Sequence, residues 1–311
     1  MKNWLLSLCV FLTVQACSQD TVAVTKHFSS GTAGRKWAIG ALTAGGYGGS
    51  FIFLSQAWYK DYPRSSFHTF NDNGEWLQMD KIGHAWTAYH TSRLTTNLWR
   101  WAGVSANNAV LLGAGSSLLY MLSIEYLDGR SAEWGWSWGD AGADLFGASL
   151  FASQDWLWKE QRISLKFSAH IKSYEEPDLE KRANDLFGSS FQGRLLKDYN
   201  AQTYWLSANI NSFFPEAHLP SWLNLSLGYG ADGMFGGYEN LARDKSGNVT
   251  FDRRDIRRYR QWYLAPDVDL TKIRTKSKLL KSVFSAFNVL KFPTPALEFS
   301  KGKFRLRALA Y

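Results

Sequence analysis

Ile163-Ser164-Leu165-Lys166-Phe167-Ser168-Ala169-His170 alternates apolar and polar side chains. A period of two is the signature of a strand whose faces meet different surroundings. The stretch marks a change of character in the chain. Similar alternation returns over residues 204–210, 222–230, 259–264 and 303–311, with Gly, Pro and Asn between the runs. The second half therefore reads as mainly antiparallel β. Residues 274–290 add one amphipathic helix, with Leu279, Leu280, Val283, Phe284 and Phe287 on one side and lysines on the other.

Upstream of Ile163 the pattern is helical. Residues 34–58 are apolar and Gly-rich and read as a first helix. Residues 61–74 form a polar loop ending in the turn signal Asn71-Asp72-Asn73-Gly74. A second helix is expected near 80–101 and a third over 107–127, stopped by Asp128-Gly129. A Trp/Gly-rich connection leads to a fourth over 140–158. The expected class is α+β. A bundle of about four apolar helices precedes a mainly antiparallel β region with one amphipathic helix.

Charge divides the chain at the same place. The net charge is +8. Residues 160–311 hold 24 Lys and Arg against 16 Asp and Glu, and residues 1–159 hold 11 of each. The basic stretch from Arg253-Arg254 to Lys281 suits anionic lipid headgroups or lipopolysaccharide. Aromatic residues make up 16% of the chain, with 15 Trp, a density that suits a membrane interface as well as an aromatic core. The mean hydropathy of −0.27 is low for a polytopic membrane protein.

The N-terminus reads as an export signal. Lys2 supplies the positive start, and residues 4–14 form an apolar segment too short to span a bilayer. Val14-Gln15-Ala16-Cys17 resembles a lipobox, in which Cys17 becomes the lipid-modified first residue; the same spacing also suits ordinary signal cleavage. Cys9 and Cys17 are the two cysteines of the sequence. After cleavage Cys17 has no disulfide partner, which favours acylation over a free thiol in an oxidising compartment. Ser18 in place of Asp favours outer-membrane sorting. The expected organisation is a signal peptide at 1–17, a tether at 18–33, a helical bundle domain at 34–158 and a basic β-rich domain at 159–311. The expected location is the outer membrane, lipid-anchored and facing the periplasm, ahead of a soluble periplasmic or integral form. Export argues against nucleic acid as a partner. Protein partners are not legible.

Three polar clusters interrupt the helical half. Asp80-Lys81-x-x-His84 places three polar groups on one helix face. Glu125-x-x-Asp128 closes the third helix. Ser137-x-x-Asp140-x-x-x-Asp144 opens the fourth. Each has a plain structural role, with Asp80 as an N-cap, Ser137-x-x-Asp140 as a capping box and Asp128-Gly129 as a turn. An antiparallel arrangement would bring the three to one end. Carboxylates, a His and a Lys among apolar helices are costly to bury unless they pair.

These motifs, with Gly135-Trp-Ser-Trp-x-Asp140-x-x-Ala-Asp144-x-x-Gly147-Ala, resemble the predicted periplasmic lipoprotein family of unknown function typified by YfiM, in the longer version found in Bacteroidetes-type proteins. The Asp-Lys-x-x-His…Glu…Asp order is more loosely similar to VanZ-like proteins. The resemblance covers residues 75–152 and implies a location rather than a reaction.

Two functions follow. In one, the protein is an outer-membrane-associated structural or lipid-interaction protein and the polar cluster is structural. In the other, it is an envelope enzyme acting on a lipid or phosphate-bearing substrate. His84 would then be the acid/base, Asp80 or Asp144 would orient it, Lys81 would bind an anion, and Glu125, Asp128 and Asp140 would be further acids. His84, Glu125, Asp140 and Asp144 are weaker metal candidates, since the Glu-x-x-His signature of carboxylate-bridged bundles is missing. No cofactor is expected. No Gly-rich phosphate loop, Gly-x-Ser-x-Gly elbow or Cys/His nucleophile pair is present. The non-enzymatic reading ranks first.

Overall fold

The computed structural model describes residues 32–54 and 63–310. The signal segment, Cys17 and Tyr311 lie outside them. Within the described residues the chain forms two compact units. One holds 32–54, 63–72, 84–161 and 273–288, and the other 73–83, 162–272 and 289–310.

The first unit is built on four long helices, α1 (Thr32–Leu54), α2 (Met79–Trp101, of which His84 onward belongs to this unit), α3 (Ala106–Asp128) and α4 (Trp138–Trp158). They pack pairwise through small and polar residues. Ile39 of α1 meets Leu98 of α2 and Ala102 just past its end. Tyr47 stacks on Tyr120 of α3 at 4.4 Å, and Ser50 shares a 2.7 Å hydrogen bond with the Tyr120 hydroxyl. Ser117 Oγ donates to the Ala88 carbonyl at 3.0 Å, joining α3 to α2. Gly147 brings α4 against α2 so closely that a Cβ there would sit 2.0 Å from the Ala85 carbonyl oxygen.

The polar loop before α2 is not loose. Its residues Ser65, His68 and Phe70 donate backbone N–H groups to the carbonyls of Arg130, Gly129 and Trp136, each at 2.9 Å. This strap runs beside the α3–α4 connection and fixes where Asp72 and Ser137 stand.

The second unit carries a six-stranded antiparallel sheet. Its strands are β1 (Ile163–Ala169), β2 (Gln202–Asn209), β3 (Leu223–Asp232), β6 (Tyr259–Val268), β7 (Thr294–Ser300) and β8 (Lys303–Ala310), in that spatial order. A separate hairpin pairs β4 (Leu241–Arg243) with β5 (Val249–Asp252). The β region holds more helix than the sequence reading allowed. α5 (Pro177–Phe187), α6 (Phe191–Lys197) and the single turn α7 (Ile210–Phe213) join the amphipathic helix, now α8 (Lys278–Phe287) and grouped with the first unit. α5 starts with Pro177 in its first turn and buries Leu179, Ala183 and Phe187 at four-residue spacing. β7 was also unexpected. Pro295 removes a ladder donor, and the strand accommodates it at a register irregularity between Thr294 and Ala296.

The sheet is inverted. One face carries two complete cross-strand rows: Leu165, Leu206, Leu227, Leu264, Leu297 and Leu306, then Phe167, Tyr204, Tyr229, Trp262, Phe299 and Phe304. Leu206, Leu227 and Leu264 are 40–48% exposed, and Leu306 is 87% exposed. The other face is polar and buried: Ser164, Lys166, Ser168, Ser207, Ser226, Asp267, Glu298 and Ser300, with Trp205 and Tyr263 among them. Lys166 Nζ lies 2.8 Å from Asp267 Oδ2 and donates to the Val268 carbonyl at 2.7 Å. Ser207 donates to the same carboxylate at 2.6 Å. β1 and β6 are three places apart, about 14 Å in a flat sheet, so the sheet curls with its polar face inward. Val289 and Lys291 exchange backbone hydrogen bonds with Phe167 and cover part of the β1 edge.

α8 is inverted in the same sense. Ser282, Ser285 and Ala286 are buried, while Leu279, Leu280, Val283 and Phe287 are exposed.

Gly147→Ala drives a methyl group into the α2 backbone and is expected to lose about 1–3 kcal/mol in chemical denaturation. Gly142→Ala, on α4 with open space around it, is expected to be neutral or to gain about 0.5–1 kcal/mol. Equal effects of the two would refute the close α2–α4 contact.

Candidate functional site

Three of the sequence candidates meet in the helical unit. His84 lies on α2, Glu125 near the end of α3 and Asp144 two turns into α4. His84 Nδ1 is 3.1 Å from Asp144 Oδ1 and 3.7 Å from Glu125 Oε1. Their ligand-type atoms all fall within 4.8 Å of one another. Glu125 is 1% exposed and Asp144 is fully buried, whereas the His84 side chain keeps 17% of its surface. The two carboxylates are buried and the imidazole is the partly exposed member of the triad.

Glu125 is held from behind. Its Oε2 accepts the Ser137 backbone N–H at 3.2 Å. Ser137 Oγ accepts the Asp140 backbone N–H at 3.1 Å and donates to Asp72 Oδ1 at 2.6 Å. This corrects the capping box. Ser137 does cap α4, but the carboxylate that returns to its N–H belongs to Glu125, not Asp140. Burial pushes the Glu125 carboxyl up to about 8, with the charges of Asp140 and Asp128 adding to the rise and those of His84 and the Ser137 N–H opposing it.

Within this triad, Glu125 Oε1 and Asp144 Oδ2 are buried and accept no hydrogen bond. Asp140, buried in the first turn of α4, also brings a carboxylate oxygen within 4.8 Å of a His84 ring nitrogen, and Asp128 closes α3. Asp80 and Lys81 fall in the second unit. Asp80 is not the N-cap of α2, because the helix already begins at Met79 after a short 3-10 turn (Glu75–Gln78). Its carboxylate instead accepts the Tyr199 hydroxyl at 3.0 Å and lies 3.6 Å from Lys81 Nζ. Sequence reasoning placed Asp72 in a turn and Ser137 in a cap. Neither signal showed that the two would join behind Glu125.

Residues 69–153 match the model of a family described as a predicted periplasmic lipoprotein (DUF2279). The match contains α2, α3, most of α4 and every member of the cluster. The description is consistent with a cell-envelope location. The six-stranded sheet lies outside the matched residues. No curated protein and no solved structure matches the chain.

Ser137→Ala removes the cap and the Asp72 bond together. We expect a loss of about 0.5–2 kcal/mol in denaturant unfolding. Ser153→Ala, at an exposed position on the same helix, is expected to change stability by less than about 0.5 kcal/mol. A Ser137 effect no larger than that would mean the cap carries no load.

Proposed function

We propose that the protein is a lipid-anchored, outer-membrane-associated component of the cell envelope whose sheet rests its convex face in the acyl layer, acting as a structural or lipid-interaction protein rather than an enzyme. The observation that carries this reading is the exposed part of the sheet's two apolar rows, Leu206, Leu227, Leu264, Leu297 and Leu306 with Trp262, Phe299 and Phe304, while Leu165 and Tyr229 of the same rows are buried. In a water-soluble sheet the apolar face is the buried one. Here the buried face holds Lys166, Asp267, Glu298 and five serines, and the exposed face holds leucines and aromatics.

Contiguous apolar surface on this scale marks an interaction site. Lipid is the occupant that fits. An aromatic row runs beside a leucine row, as where hydrocarbon gives way to headgroups. Lys303 and Arg305, on β8, supply positive charge at the sheet's edge for anionic headgroups. α8 presents Leu279, Leu280 and Val283 outward. α3 is long and apolar enough to cross a membrane by length and composition, and only a third of its most apolar window is buried. Cys17 would add an acyl chain, and a single chain gives marginal binding without a second contact. Two basic residues are already engaged, since Arg253 pairs with Glu176 and Asp178, and Arg254 with Asp252. The headgroup role therefore falls to other members of the basic half.

The 3.1 Å His84–Asp144 contact favours the enzyme reading as the second choice, with His84 as acid/base oriented by Asp144. If His84→Ala abolishes an envelope phenotype such as detergent resistance while the melting temperature holds, that reading displaces the first.

Cys17→Ser protein should still co-sediment with vesicles of mixed zwitterionic and anionic phospholipid. Adding Leu227→Glu and Leu264→Glu should weaken that binding about 10-fold or more, since each leucine contributes about 1.5–3 kcal/mol of burial. Unchanged binding would sink the proposal. So would a lipid-free, detergent-free dimer of the Cys17→Ser protein, because a second copy would then cover the face.

A further inference from the structure

We propose that His84, Glu125 and Asp144 bind one divalent first-row transition-metal ion, in a site that is separate from the lipid-facing sheet and goes beyond the function proposed above.

Charge is the first argument. Two carboxylates sit almost wholly out of water and share one imidazole. With both carboxylates ionised, one imidazolium leaves a net negative charge in a buried place, a cost that either a proton or a cation must relieve. A dication with a neutral imidazole offsets these two carboxylates, and buried Asp140 adds a third carboxylate near His84.

Geometry is the second. A tetrahedral ion with bonds of about 2.0–2.1 Å sets its ligand atoms about 3.3 Å apart. The imidazole nitrogen stands 3.1 Å from one carboxylate oxygen and 3.7 Å from the other. Those are the edges of a ligand shell that needs only small adjustment around an ion.

Unmet valence is the third. Glu125 Oε1 and Asp144 Oδ2 accept no hydrogen bond, and both side chains are more than nine-tenths buried. Buried carboxylate oxygens are ordinarily satisfied. Here one oxygen of each is left for another partner, and Glu125 Oε1 is one of the two carboxylate oxygens drawn up around the His84 nitrogen. The other Glu125 oxygen is fixed by the Ser137 N–H, and Ser137 is itself tied to Asp72. Metal-binding carboxylates are oriented by such outer contacts.

The ligand types select the ion. One imidazole and two carboxylates suit zinc, manganese or iron(II), and the set holds no thiolate for softer ions. The partly exposed edge of His84 leaves a side for water or a substrate oxygen.

The test uses the full-length protein in detergent, stripped with a chelator and titrated with Zn²⁺ or Co²⁺ alone. We expect one ion per chain, a rise in melting temperature with Zn²⁺, and a visible tetrahedral d–d spectrum with Co²⁺. Glu125→Gln and Asp144→Asn should each abolish stoichiometric binding while circular dichroism keeps its helical signal. Ser137→Ala should weaken binding about 10- to 100-fold. No uptake by the wild type would overturn the proposal, as would unchanged binding in both carboxamide variants. Should those variants fail to fold, the wild type decides. Paramagnetic broadening of the His84 imidazole resonances by Co²⁺ supports the site, and unaffected His84 resonances refute it.

Discussion

The contact between Lys166 and Asp267 sets the terms for the β unit. A fully buried ammonium and a nearly buried carboxylate meet across the concave side of the sheet. Such a pair survives only when each member finds its partner and further hydrogen bonds, because taking either charge out of water costs several kcal/mol. The Val268 carbonyl and Ser207 hydroxyl provide those bonds. Once the polar groups occupy the inside of the curl, the alternation of the strands leaves no choice for the other side chains. Most leucines and many aromatics of the strands then face outward, and the exposed part of that surface needs an apolar environment.

The helical unit obeys the same constraint. His90, Ser92, Thr95, Thr96, Glu125, Asp140 and Asp144 are buried, while Leu111, Leu119, Leu145, Phe146 and Leu157 are exposed. Small residues such as Gly147 let the helices approach closely, as in packing that lacks a hydrophobic drive between helices. Both units thus keep their polar groups inside. Their buried charges differ in one respect. Lys166 and Asp267 balance one another, whereas Glu125 and Asp144 outnumber the single His84.

Much of the secondary structure was legible in the sequence, because periodicity and stop signals are local. The four long helices lie within a few residues of where apolar runs, Asp128-Gly129 and Ser137 place them. β7 was hidden by Pro295, and α5 by a polar stretch whose apolar residues recur only every fourth place. The more consequential gap concerned direction. Alternation in Ile163 to His170 shows two unlike faces but not which is buried. That depends on side chains far along the chain, such as Asp267 opposite Lys166. The site divided in the same way. His84, Glu125 and Asp144 could be nominated because ionisable groups stand out among apolar helices. The strap that carries Asp72 to Ser137, and the transfer of the Ser137 N–H from Asp140 to Glu125, depend on tertiary contacts that no local motif encodes.

The most direct measurement of the central claim is the environment of the two sheet faces in a bilayer. A nitroxide at Leu227→Cys, in Cys17→Ser protein reconstituted into vesicles, samples the exposed row, and one at Ser226→Cys samples the buried face. If the sheet rests in lipid, oxygen should relax the 227 label far more than a water-soluble nickel complex does, and the 226 label should be shielded from both. A 227 label relaxed mainly by the nickel complex would place that face in water and contradict the account.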